Sequence, residues 1–167
     1  MAERLRSIPQ KPLNIVCCFI VDDTNRILLL RRHSKALGGG LWATPGGKQE
    51  PGEPASVTAI REVKEETGLA VPHVQYLGKH ELRMPHGVVF MKTYTACIDG
   101  TRTITIDTKE HEDYRWFAIQ DVLNQEKIIW GLPTTLLDFG FLDSLDVDPT
   151  LADGSQAILI ETSAAEH

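Results

Sequence analysis

Three glutamates, Glu62, Glu65 and Glu66, fall within five residues of the sequence. On a helix, at about 100° per residue, their carboxylates share one side. Each like-charged pair at this spacing costs about 0.2–0.5 kcal/mol on an exposed helix. Divalent cations reverse that cost because Mg²⁺ and Mn²⁺ prefer oxygen ligands and add phosphate oxygens. The pattern therefore predicts a solvent-open metal site that handles phosphates.

The competing interpretation of the same residues is a solvated acidic surface, which is the usual role of a run of charges. The neighbouring residues favour the metal site. A glycine turn, "TPGGK", lies directly upstream of the predicted helix. Glu53 precedes Arg61 by eight residues, just over two helical turns, and so can reach either this arginine or the acidic cluster.

One helix and several strands must position these residues. The helix is predicted over 54–67, since Pro54 is tolerated in a first turn and Gly68 suits a left-handed C-terminal cap. Its core face is predicted to be Val57, Ala59, Ile60 and Val63. Strands are predicted at 13–21, 26–32, 73–84, 87–98, 101–106 and 113–119, and further helices at 120–125 and 131–145. These elements indicate a mixed α/β sandwich.

Length and composition indicate one ordinary globular domain. The chain has 167 residues, 42% of them hydrophobic and 24% charged, and a net charge of -6. This charge argues against a general affinity for nucleic acid or an anionic membrane. The three cysteines lack metal-site spacing and are interpreted as reduced packing residues, with Cys17 and Cys18 on opposite faces of a strand. Reduced cysteines favour a cytoplasmic location. No signal-peptide pattern or membrane-length apolar run is present.

The acidic segment resembles the signature of the Nudix hydrolases, Gly-x5-Glu-x7-Arg-Glu-U-x-Glu-Glu-x-Gly-U, where U is a bulky aliphatic residue. Every fixed position is filled, by Gly47, Glu53, Arg61, Glu62, Val63, Glu65, Glu66, Gly68 and Leu69. The flanking "LLLRR", "LWATPGGK" and "KEHEDYRWF" are also similar to family sequences, so that the likeness spans about 14–122. We therefore expect a lead at 1–12, a Nudix domain at 13–145, and a tail at 146–167 that is either flexible or an edge strand.

The resemblance implies an α/β/α sandwich around a mixed sheet and the hydrolysis of a nucleoside diphosphate linked to another moiety. It implies that Glu62, Glu65 and Glu66 bind Mg²⁺ or Mn²⁺, with the Gly46 carbonyl and Glu110 as further ligands. Glu53 would pair with Arg61 and hold the loop and helix rigid. The general base would be Glu62 or Glu110. Glu112 is the runner-up for this role, and the alternative for Glu110 is a solvated loop acid.

Four residues near the motif are candidates for binding the substrate: Arg31, Arg32, Lys48 and Gly47. Strand alternation allows only one of the two arginines to face the site, and the resemblance favours Arg32. Trp42 and Trp116 could stack on a base but are more often core residues. His80, His86 and His111 are interpreted as surface or packing residues, of which His111 is the one to test as an acid or base.

The substrate class that we favour is a nucleoside triphosphate, cleaved to the monophosphate and pyrophosphate. The alternatives are ADP-ribose, for which Pro85 is a partial signal, and a nucleotide sugar. Capped or triphosphorylated RNA is a further alternative, although no basic patch is evident. A catalytically silent nucleotide-binding module is the alternative from another class, but no motif glutamate is lost. Family members are often homodimers, and nothing in this chain decides that point.

Overall fold

The computed structural model describes residues 11–84, 87–142 and 158–163. The strands are β1 (Leu13–Asp22), β2 (Arg26–Arg32), β3 (Trp42–Ala43), β4 (Gly46–Lys48), β5 (Gln75–Met84), β6 (Gly87–Ile98), β7 (His111–Ala118) and β8 (Ile158–Ser163). The helices are α1 (Ala55–Thr67), a 3₁₀ helix (Ile119–Asn124) and α2 (Leu132–Asp138).

One mixed sheet organises the chain. Its main path runs β3-β2-β1-β6-β5-β8, while β4 pairs with β1 and β7 pairs with β2. Strands β1 and β6 run parallel, from Leu13 opposite Val89 to Asp22 opposite Ile98. The other pairings are antiparallel. Strands β1 and β2 are continuous apolar runs because helices cover both faces of the sheet.

Alternate residues of the central strands pack on opposite faces. On one face, Val16, Cys18 and Leu30 pack against α1. On the other face, Phe19 and Leu29 belong to the cluster that includes the 3₁₀ helix and α2. The predicted α/β/α sandwich around a mixed sheet is therefore confirmed. Consecutive cysteines follow the same alternation, since Cys18 joins the α1 face while the Cys17 thiol contacts Thr93, outside that cluster.

Helix α1 ends at Thr67 as predicted and begins at Ala55, one residue after the predicted start. Pro54 is the residue before its first turn, and Gly68 ends it at φ 74°, where its N–H donates to the Lys64 carbonyl. The predicted core face is wrong in part. Val57 is 48% exposed, whereas Glu62 and Glu66 are buried. The reason is tertiary, because β4 lies against the acidic side of α1 and covers two of the three carboxylates.

Three sequence predictions of secondary structure need correction. Residues 101–106 form no strand, because this segment meets the end of α1 rather than the sheet: Thr105 N–H donates to the Thr67 carbonyl. The helix predicted at 120–125 is a 3₁₀ helix. The helix predicted over 131–145 ends at Asp138, and Gly140 follows at φ 76°, a conformation that stops a helix.

Strand β8 comes from the tail and lies beside β5 at the end of the main sheet path, with Lys79 opposite Ser163 and Arg83 opposite Ile158. Residues 1–10, Pro85, His86, 143–157 and 164–167 lie outside the described residues. The domain boundaries at 12/13 and 145/146 therefore stay predictions. Among the described residues, no helix is both long and apolar enough to cross a membrane.

Candidate active site

A single arginine on α1 ties the acidic residues to the loop before the helix. Arg61 Nε and Nη2 donate to the two carboxylate oxygens of Glu53, at 2.9 and 3.1 Å. Its Nη1 donates to Glu62 Oε1 at 2.8 Å and to Glu65 Oε2 at 3.2 Å, and its Nη2 also reaches the Lys48 carbonyl at 3.3 Å. The guanidinium fork thus fixes three carboxylates relative to β4.

The carboxylate of Glu53 has two further donors. Thr58, a fully buried residue of α1, donates its hydroxyl to Oε2 at 2.7 Å, and the Glu50 N–H lies at 3.3 Å. Arg61, followed by Thr58, lowers the pKa of Glu53 to about 2, so this carboxylate stays charged. Sequence reasoning placed Glu53 beside Arg61 but missed Thr58. The signal that could have found it is a hydroxyl five residues after Glu53, inside an otherwise apolar helix face.

Glycine at position 47 leaves space that the carboxylate of Glu62 occupies. A Cβ added at Gly47 would lie 2.8 Å from Glu62 Oε2 and closer still to Oε1 and Cδ. Gly46 is confined too, because a Cβ there would lie 2.8 Å from the Cys17 Cα of the paired strand. Burial raises the pKa of Glu62, and the neighbouring Arg61 opposes that shift.

Glu66 is the most buried carboxylate of the cluster, with a relative exposure of 5%. Its Oε2 accepts a hydrogen bond from the Gly46 N–H at 2.9 Å. Burial raises the pKa of Glu66 to about 8, and the charges of Glu62 and Glu110 act in the same direction. Without a cation, this carboxyl group is therefore mostly protonated at neutral pH.

Glu110, directly before β7, and His111, its first residue, complete the cluster. Glu110 is exposed, and the next residue, His111, is buried with its Nε2 3.9 Å from Glu66 Oε1. One ligand atom from each of Glu66, Glu110 and His111 lies within 4.8 Å of the others. Burial and the positive charge of Arg32 lower the pKa of His111 to about 4, so its ring is neutral at pH 7.

The donor set fits a hard divalent cation. The carboxylates of Glu62, Glu66 and Glu110 repel one another and two of them are held in a buried setting, which a shared cation would relieve. Glu65, which is 57% exposed on its side chain, stands at the rim. Gly46 lies next to the cluster, since its N–H donates a hydrogen bond to Glu66.

The candidate phosphate-binding arginines of β2 lie on opposite faces of the sheet, as the alternation of side chains along a strand requires. The charge of Arg32 acts on both Glu66 and His111, so Arg32 lies on the side of the cluster. Arg31 lies over the Trp42 ring at 5.8 Å, on the opposite face of the sheet, with its side chain 40% exposed. Lys48 is exposed at the end of β4.

The aromatic residues and His80 take packing positions. Trp42 is buried and meets Phe117 edge to face at 5.2 Å, while Trp116 is partly buried against the α1 core. His80 is fully buried, and its Nε2 lies 3.1 Å from Asp138 Oδ2.

The chain is an α/β/α sandwich with one acidic loop–helix unit beside its parallel strand pair. These features define a Nudix-type fold. Comparison with known proteins agrees. The NUDIX domain model matches residues 11–138, and the chain belongs to this family of pyrophosphohydrolases.

Similar proteins include the NAD-capped RNA hydrolase NudC of Pseudomonas putida, which is 36% identical over 119 residues, or 71% of this chain and 40% of that protein. The mitochondrial NAD(P)H pyrophosphatase NUDT13 of Mus musculus is 31% identical over 103 residues, or 62% of this chain and 29% of that protein. The chain thus spans about two fifths of the length of the first relative. A solved MutT NUDIX hydrolase from Burkholderia pseudomallei is 26% identical with a TM-score of 0.68, covering 77% of this chain and 98% of that one.

Proposed function

We propose that the chain uses Mg²⁺ or Mn²⁺ to hydrolyse a pyrophosphate bond in a nucleoside diphosphate linked to another moiety. The observation that carries this proposal is the carboxylate cluster of Glu62, Glu66 and Glu110, two members of which have raised pKa values in the absence of a cation. Membership of the family supports the reaction class.

The ligands of the cation would be the carboxylates of Glu62, Glu65, Glu66 and Glu110, with the Gly46 carbonyl as a further oxygen. When bound, the cation neutralises phosphate charge and lowers the pKa of a bound water. The Arg61–Glu53 pair holds β4 and α1 in a fixed relation, so that the ligands need little reorganisation. Arg32 and Lys48 would bind the substrate phosphates, and Gly47 leaves the backbone of β4 open to approach.

In the reaction, a water oxygen forms a bond to phosphorus while the bridging P–O bond breaks and the leaving phosphate takes the electron pair. A carboxylate accepts the proton of the water. Between the two candidates, Glu110 suits this role better because Glu62 Oε1 already accepts a hydrogen bond from Arg61. Wild-type kinetics in Glu110→Gln would return the role of general base to Glu62.

Two substrate classes are considered. The sequence resemblance favours a nucleoside triphosphate, with pyrophosphate and a monophosphate as products. The relatives named for NAD-capped RNA and NAD(P)H favour a dinucleotide or a capped RNA end. ADP-ribose and nucleotide sugars stay as alternative substrates. The homodimer and the cytoplasmic location also stay predictions.

A substrate panel tests the proposal. Nucleoside triphosphates, NAD(H), NAD-capped RNA, ADP-ribose, nucleotide sugars and dinucleoside polyphosphates would be incubated with Mg²⁺ or Mn²⁺, and the products identified by chromatography. Glu62→Gln and Glu65→Gln should each lower kcat by about 10²–10⁴ on the active substrate. Glu50→Gln is the matched control, since its exposed side chain lies outside the cluster.

Near-wild-type rates in Glu62→Gln and Glu65→Gln at saturating Mg²⁺ would refute the assignment of the metal site. No product from any member of the panel, together with tight nucleotide binding, would favour the silent binding module.

A further inference from the structure

His111 presents a ring nitrogen to the free side of the Glu66 carboxylate. Oε2 of Glu66 is occupied by the Gly46 N–H, whereas Oε1 points toward His111 Nε2. The separation of 3.9 Å is too long for a hydrogen bond. The exposed carboxylate of Glu110 joins the same cluster. Two carboxylates and one imidazole therefore converge on a common space.

The ring of His111 also lacks a partner at its second nitrogen. The side chain is about 95% buried, and Nδ1 makes no hydrogen bond within the described part of the chain. Nε2 also has no hydrogen-bond partner among these residues, because Glu66 Oε1 lies 3.9 Å away. Nε2 is therefore available to a ligand in the shared space.

We propose that His111 Nε2 is a direct ligand of a divalent cation shared with Glu66 and Glu110, which makes this a mixed nitrogen–oxygen site. This inference rests on the proposed function, because it concerns the same cation cluster. Ligand atoms at about 2.0–2.2 Å from one ion stand roughly 3 Å apart when adjacent and about 4.2 Å apart when opposite. Separations of up to 4.8 Å need only a small closure of the cluster.

A nitrogen ligand should change which cations the site prefers. Imidazole suits Zn²⁺, Fe²⁺ and Ni²⁺, whereas Mg²⁺ and Mn²⁺ are typically bound by oxygen ligands. Removal of the nitrogen should therefore weaken Zn²⁺ binding by about tenfold and change Mg²⁺ binding by less than about threefold.

The test is pulsed electron paramagnetic resonance of Mn²⁺ bound to the substrate-free protein. The wild type should show ¹⁴N modulation, and labelling only its histidines with ¹⁵N should replace that signal. His111→Phe should abolish it, while His73→Gln, at an exposed position, should retain it. The labelled wild type shows whether a histidine binds the ion, and His111→Gln provides a second variant that identifies it if His111→Phe fails to fold.

No ¹⁴N modulation in the wild type, or its persistence in a folded His111→Phe, would overturn the proposal. Equal losses of Zn²⁺ and Mg²⁺ affinity in His111→Phe would also overturn it, by indicating that His111 only positions Glu66. The spectroscopic test uses no substrate, so its result is independent of hydrolysis. A histidine signal from a protein that hydrolyses no substrate would refute the proposed function alone. Hydrolysis by a protein that shows no histidine signal would refute the histidine ligand alone.

Discussion

Replacement of Gly47 by alanine is expected to displace the Glu62 carboxylate without changing its chemistry. The backbone at Gly47 does not have a positive φ, so alanine can adopt its conformation. The new Cβ would lie 2.8 Å from Oε2 and closer still to Cδ, whereas unstrained carbon contacts begin at about 3.5 Å. The carboxylate must therefore retreat by roughly 1 Å, and a shift of that size costs about 10²-fold in rate.

The assay is a double-mutant cycle on kcat/KM at saturating Mg²⁺. Gly47→Ala should lose about 100-fold in the wild-type background. Glu62→Asp shortens the side chain by one methylene and vacates the space that the methyl group needs. In that background, Gly47→Ala should lose less than about threefold.

Thermal unfolding of all four proteins provides the control, since the variants should differ little in stability. An equal loss from Gly47→Ala in both backgrounds would refute the reasoning. That result would indicate that the methyl group obstructs the substrate rather than Glu62.

Three further perturbations have distinct expected results. Thr58→Val removes the 2.7 Å hydrogen bond to Glu53 and should lower the free energy of unfolding, measured by urea denaturation, by about 1 kcal/mol. Thr58→Ser keeps the hydroxyl and should retain the wild-type stability. Equal stability of the wild type and both variants would contradict a stabilising role of this hydrogen bond. Because the pKa of Glu66 is about 8, Mg²⁺ must displace the proton of Glu66 when it binds below that pH. Calorimetry should therefore show proton release at pH 7 and a Mg²⁺ affinity that rises with pH up to about 8. A Mg²⁺ affinity that does not change between about pH 6.5 and about pH 8.5 would contradict this role of Glu66. Asp22 lies away from the cluster, and although burial opposes it, hydrogen bonds from Arg26 and Thr24 lower its pKa. Its stabilisation should be fully present above its unfolded pKa of about 3.9 and be lost as pH falls through the lower folded value, so Asp22→Asn should destabilise by about 2 kcal/mol at pH 7 with unchanged kcat/KM. Equal stability of Asp22→Asn and the wild type at pH 7 would contradict that estimate.

Local signals explain why much of the fold could be predicted. Helix α1 follows from apolar spacing and from Gly68, whose left-handed conformation needs no information from distant residues. Strands β1, β2 and β6 follow from runs rich in apolar and β-branched residues. The segment 101–106 has the same composition, but it meets α1 instead of the sheet, and a partner is not visible in local sequence.

The acidic cluster shows a similar limit. The spacing of Glu62, Glu65 and Glu66 predicts that they share one side of the helix, yet burial of two of them depends on how β4 folds over that side. The helix pattern alone predicted exposed carboxylates. His111 is 45 positions from Glu66 in the sequence, and only the path of β7 beside β2 brings the two together. Contacts of this kind are set by topology and cannot be derived from residue spacing.

The acidic side of α1 should bind the cation that serves catalysis. Anomalous diffraction at the manganese edge, from crystals grown with Mn²⁺ and a non-hydrolysable nucleotide, would locate that cation. A peak is expected in contact with carboxylates of Glu62, Glu66 and Glu110, within reach of a substrate phosphate, and it should be lost in Glu66→Gln. A manganese peak elsewhere, or an ordered nucleotide with no peak beside these carboxylates, would contradict that expectation.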